Sequence, residues 1–144
     1  MTTKKELTAP CGMDCFNCPV YVDNITTVVK YVLALRLRLS PRNIPCTGCR
    51  KQQGCRLHWN TCETLDCVKA KGIEFCFECA EFPCSRLQPA ADGAAKYPHN
   101  MKLYNLCRIK KIGVEQWAEK EAGVIRRKYF KGKFVVGSGP VVKD

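Results

Sequence analysis

Histidine is scarce in this chain, with two residues in 144. No Ser-His-Asp arrangement and no glycine-rich phosphate loop can be read from the rest. Hydrolytic and nucleotide-dependent chemistry are thereby left without their usual side chains. Long apolar runs are missing too. No uncharged stretch approaches the roughly 18 residues that cross a bilayer, and Met1 to Pro10 carries lysines without the apolar core of an export signal. A cytoplasmic protein without a membrane segment is the expectation. There is also no solenoid-like repeat, and no succession of strand and helix patterns long enough to build a barrel.

Cysteine is what the chain has in excess, with twelve residues. In a reducing compartment disulfides rarely persist, so clustered cysteines point to metal or redox chemistry. The rival is a disulfide framework in an exported protein, and cysteine at this density lies at the edge of the range where that is usual. Close pairs such as Cys46-Thr47-Gly48-Cys49 and Cys76-Phe77-Glu78-Cys79 argue for metal, because two intervening residues let both sulfurs turn toward one ion or cluster.

The length suits one compact domain with a modest core, here taken as residues 1–136 followed by a flexible tail over 137–144. Net charge is +11, unevenly spread: residues 19–60 carry +6 and 101–136 carry +7, while the cysteine-rich stretch 61–100 carries −2. Four thiolates around Zn²⁺ or around an oxidised [4Fe–4S]²⁺ core leave −2 per site, so part of the basic excess balances anionic sites.

Tyr21 to Leu39 is apolar at helical spacing, with Asp23 near its start and Arg36 and Arg38 near its end, and predicts a helix broken by Ser40-Pro41. Residues 35–39 alternate as a strand would. From Pro45 to Pro89 eight cysteines leave room only for turns and short helices, one of them around Cys62 to Lys71 and ended by Gly72. Pro89 to Asn100 is expected to be a loop. Met101 to Ile112, and then Val114 to Tyr129 after Gly113, predict two C-terminal helices over about 101–129 with Trp117 and Tyr129 in the core. Arg108, Lys110, Lys111, Lys120, Arg126, Arg127 and Lys128 are assigned to their outer faces, and Lys133 to Val136 to a short strand or extended edge. The fold class is mainly α with irregular metal-bound loops, a small cysteine-rich metalloprotein.

Cys11, Cys15 and Cys18 follow a C-x3-C-x2-C spacing with Pro19 after the last. Three thiolates in so tight a loop suit three irons of a [4Fe–4S] cube. Zinc more often takes two CxxC pairs from separate hairpins. The further candidate ligands are Cys46, Cys49, Cys62, Cys67, Cys76, Cys79 and Cys84, with Cys55 as an added metal candidate. His58, inside the cysteine segment, and His99 are weighed as surface or packing residues. Asp14 and Glu78, each between ligands, are expected to bond the backbone or face water.

The C-x3-C-x2-C spacing also resembles the cluster motif of radical S-adenosylmethionine enzymes, whose barrel this chain cannot supply. Taken together, Cys11-Gly12-Met13-Asp14-Cys15-Phe16-Asn17-Cys18-Pro19, Cys46-Thr47-Gly48-Cys49, Cys62, Cys67, Phe75-Cys76-Phe77-Glu78-Cys79, Phe82-Pro83-Cys84 and the segment Asn105 to Trp117 resemble a family of small cysteine-rich proteins of unknown function from bacteria and archaea, over about residues 9–120. The resemblance implies metal binding and no specific activity. Cys107 matches no motif of that family and reads as an ordinary, partly buried cysteine.

Two functional classes follow. One is a [4Fe–4S] protein with two or three clusters, used for electron transfer or cluster supply and docking on an acidic redox partner. The other is a zinc-stabilised module whose basic helices contact protein or nucleic acid. Nucleic acid has little support, because aromatics do not interleave with the basic residues. Catalytic residues are not evident, and the sequence leans away from an enzyme.

Overall fold

The computed structural model describes residues 2–55, 62–87 and 99–132. They form six α-helices, α1 (Thr27–Leu37), α2 (Cys49–Gln52), α3 (Glu63–Ala70), α4 (His99–Ile112), α5 (Val114–Lys120) and α6 (Ala122–Lys131), and single 3₁₀ turns at Cys15–Asn17, Pro41–Asn43 and Cys76–Glu78. Among the described residues there is no β-strand, only two isolated bridges, Thr8 with Asp14 and Tyr21 with Cys46. No helix among them is long and apolar enough to cross a membrane. The mainly helical class read from the sequence is what the chain adopts.

Local chemistry explains most of the helix ends. Helix α1 starts later than the apolar pattern suggests, because Tyr21 to Ile25 turns back on itself and Thr26 caps the helix by accepting the Val29 N–H. It ends at Arg38, whose N–H bonds the Ala34 and Leu35 carbonyls and whose left-handed φ of 54° turns the Leu39 N–H back onto the Ala34 carbonyl at 3.0 Å. The strand-like alternation of residues 35–39 is therefore overridden. Helix α3 lies where the sequence places it, and Gly72 closes it with φ +64°. Gly113 likewise separates α4 from α5 at φ +83°.

Three differences stand out. The expected loop gives way at His99, where α4 begins. The single helix expected after Gly113 is split at Glu121, a residue of α-region backbone at φ −117° whose side chain is buried against Arg108. Arg108 and Arg126, assigned to the outer face, instead turn inward to carboxylates. His58, most of the segment Pro89 to Asn100, the strand expected at Lys133 to Val136 and the tail 137–144 lie outside the described residues.

The core has three parts. Leu7, Phe16, Met101, Ile109, Trp117, Ala118, Ala122 and Ile125 join the N-terminal loop to α4, α5 and α6, with Tyr129 packed against them. Phe16 meets Trp117 edge-on at 6.1 Å between ring centroids. Leu65, Val68, Phe75, Leu87 and Leu106 form a second cluster around α3, and Val20, Ala34, Ile44 and Cys46 a third beneath α1. The first two clusters share α4, so the N-terminal cysteine loop and the cysteine-rich middle are pressed onto one helix.

A candidate thiolate centre

The chain brings distant cysteines together through a few main-chain anchors. Gly12 sits so close to α4 that an added Cβ would fall 2.8 Å from the Lys102 carbonyl oxygen, and its φ of +84° also calls for glycine. Asn105 of α4 donates its amide to the Gly12 carbonyl at 2.8 Å. The Cys76 N–H bonds the Pro10 carbonyl at 3.0 Å, and Arg50 donates to the Thr8 and Glu74 carbonyls at 2.8 Å each. Cys46 pairs with the other end of the first loop, its N–H on Val20 and its carbonyl accepting from Val22.

Two groups of sulfurs result. In the first, the Cys49 thiol and its N–H both bond Cys15, which pulls the Cys15 thiol down to about 7. Cys11 and Cys62 lie within electrostatic reach of Cys49, which is itself pushed up by holding its proton against Cys15 and by burial. Cys18 lies within reach of Cys15 and Cys46. The tight C-x3-C-x2-C loop thus does not act alone, and its middle cysteine has its direct partner 34 residues on.

In the second group, Cys67 on α3, Cys76 of the 3₁₀ turn, Cys79 just after it and Cys84 line a half-open cleft of about 310 Å³ with Lys71, Glu81 and Arg86 at its walls. Burial, and the sulfurs of Cys11, Cys84, Cys67 and Cys79, push the Cys76 thiol up to about 12. Cys79 moves the other way, because the Glu81 N–H and the Lys71 ammonium, 3.1 Å from its Sγ, favour its thiolate. Lys71 also pairs with Glu81.

A recurrent detail was not visible in the spacing. Cys11, Cys18, Cys46 and Cys79 each accept a main-chain N–H from the residue two positions on: Met13, Val20, Gly48 (3.4 Å) and Glu81. Gln52 adds its amide to Cys46 at 3.1 Å. A thiol is a weak acceptor and a thiolate a strong one, so amides aimed at sulfur favour the charged, ligating form. Gly48, two residues after Cys46, is the one sequence signal that such turns leave.

None of the twelve cysteines is in a disulfide. Cys107 is exposed on α4 and is not part of either group, against the expectation of partial burial. Cys55 is half-buried. Asp14 is buried and held by Arg126, not by the backbone or water, whereas Glu78 accepts the Phe75 N–H at 3.1 Å as expected of a structural carboxylate. Among the described residues no three Cys, His, Asp or Glu side chains close tightly enough to hold a metal ion as they stand. The donor set nonetheless fits a thiolate-held group: soft sulfurs, several per cleft, with amide and ammonium donors around them.

Comparison with known proteins gives one match. The family described as "Protein of unknown function (DUF3795)" covers residues 7–89. No curated protein and no solved structure matches. The match stops before α4, short of the resemblance over 9–120 read from the motifs, yet takes in every cysteine but Cys107. With more than half its length and both thiol groups inside that match, the chain belongs to the DUF3795 family of proteins of unknown function.

Proposed function

We propose that this protein binds [4Fe–4S] clusters and serves in electron transfer or cluster supply. The reading is carried by one observation, the cleft that Cys67, Cys76, Cys79 and Cys84 line together. Zinc at about 2.3 Å from each sulfur would bring four sulfurs to about 3.8 Å from one another. A cleft of about 310 Å³ whose sulfurs do not close on a single ion is better matched to a cube, which spreads its thiolates over separate corners. Cys11, Cys15, Cys49 and Cys62 are the ligands favoured for a second site, with Cys18 and Cys46 beside it.

When bound, the cluster supplies one-electron redox chemistry. The protein's own residues set its surroundings. Lys71 places a cation on Cys79, the main-chain N–H groups bond sulfur, and both raise the reduction potential by offsetting thiolate charge. The basic surface favours an acidic redox partner, with encounter slowing as salt rises.

The test is anaerobic purification followed by iron, acid-labile sulfide and zinc analysis with a visible spectrum. A brown protein with sulfide is expected, with metal lost in Cys15→Ser and Cys79→Ser and kept in Cys107→Ser. A colourless protein with stoichiometric zinc would assign the chain to the zinc-stabilised class. A folded native protein without any metal would remove both readings.

A further inference from the structure

Helix α1 is apolar on two faces, with Lys30 and Arg36 as its charged residues, and among the described residues it is covered on one side only. Ala34, Leu33 and Leu37 pack on Val20 and Ile44, while Val28, Tyr31, Val32, Leu35 and Leu39 face solvent, Val28 at 72% and Leu35 at 81% exposure. Positions 28, 31, 32 and 35 are spaced to lie along a single stripe, and Leu39 follows after the left-handed turn at Arg38. A helix apolar on both faces normally has both faces covered, and a contiguous exposed stripe marks an interaction surface.

The surroundings of the stripe identify its occupant. Arg36 lies one turn on from Val32, Arg38 and Arg42 follow the helix, and Lys30 stands 5.7 Å from the Tyr31 ring. No carboxylate occurs anywhere between Asn24 and Cys62. A second copy of the chain is disfavoured by size, since an 11-residue helix is about 16 Å long, too short a strip for the roughly 1,200 Å² that specific interfaces bury. A raised apolar ridge bordered by cations needs no matching groove on a surface that is itself deformable, apolar within and negatively charged outside.

We propose that α1 docks the protein on an anionic phospholipid bilayer, with Val28, Tyr31, Val32 and Leu35 entering the headgroup boundary and Arg36, Arg38 and Arg42 meeting lipid phosphates. This is surface attachment and involves no spanning segment. It is independent of which metal the cysteines hold.

The experiment is co-sedimentation of the full chain, purified anaerobically with its native metal content, with vesicles of phosphatidylcholine alone and of phosphatidylcholine mixed with phosphatidylserine. The protein should pellet with the mixed vesicles, stay in solution with the neutral ones, and detach as salt rises. Leu35→Glu should lower partitioning about tenfold or more, and Arg36→Glu with Arg38→Glu should lower it as well. Because Leu35 is exposed, its variant keeps the wild-type circular dichroism. The proposal is overturned if the protein fails to pellet with anionic vesicles, or if Leu35→Glu pellets undiminished, which would mean adhesion by charge alone. It is also overturned if the wild type is a dimer that Leu35→Glu makes monomeric, or if the stripe proves to bind an acidic protein and no lipid.

Discussion

Replacing Arg126 with methionine should cost this protein about 3–5 kcal/mol of folding stability, because it strands a buried carboxylate. Arg126 of α6 grips Asp14, in the middle of the first cysteine loop, with Nε at 2.8 and 3.0 Å from the two carboxylate oxygens and Nη2 at 2.6 Å from Oδ1. Nη2 also reaches the Asp14 carbonyl at 3.3 Å. Asp14 is 1% exposed, and once the guanidinium is gone the Asn17 amide, 2.9 Å away, is its one remaining side-chain donor among the described residues. For a chain of this length each kcal/mol lowers Tm by about 2–4 °C, so a fall of roughly 6–20 °C is expected. Urea denaturation under anaerobic conditions measures the loss. In Asp14→Leu combined with Arg126→Met both charges are absent, and the double variant should be more stable than Arg126→Met alone. A loss below about 1 kcal/mol for Arg126→Met would refute the reasoning, since that is the magnitude of a solvated surface pair. Raised reactivity of Cys15 and Cys18 toward a thiol reagent in the metal-free variant would show that the pair holds the loop as well as the helix.

Two further outcomes follow from the thiol region. Gly12→Ala should destabilise by at least about 2 kcal/mol in thermal or urea unfolding, from a left-handed backbone and a Cβ only 2.8 Å from the Lys102 carbonyl oxygen; an unchanged midpoint would show that the loop does not rest on α4. In protein without bound metal, stability should rise from pH 7 to pH 8 by about 1 kcal/mol, because Cys15 ionises at about 7 when folded and near 9.0 when unfolded. Near and above pH 9 it should fall again, since Cys11, Cys18, Cys49 and Cys76 keep their protons longer in the folded chain than in the unfolded one. A flat profile across this range in anaerobic urea titrations would sink that account.

Sequence reasoning reached the helices whose cause is local. The three- and four-residue spacing of Leu106 and Ile109, and of Ala118, Ala122 and Ile125, and the stops at Gly72 and Gly113, involve neighbours along the chain, and the structure keeps them. The split at Glu121 was not legible, because it accompanies an ion pair with Arg108, thirteen residues away and on another helix. The solvent-facing side of α1 was likewise hidden. A pattern apolar on two faces shows that burial is wanted and does not say which side the rest of the chain will cover.

The amino-acid sequence determined that this is a small, helical, cysteine-rich chain of the DUF3795 family, since composition and short-range spacing carry that information. Only the tertiary structure decided that Cys15 meets Cys49, that Cys67 and Cys84 share a cleft with the Cys76–Cys79 turn, and that Arg126 faces Asp14 across 112 residues. Spacing along a chain limits which sulfurs can approach one another. Which ones do is set by the packing of Gly12 and the Phe75 region against α4, a contact between segments about ninety residues apart in the first case and thirty in the second.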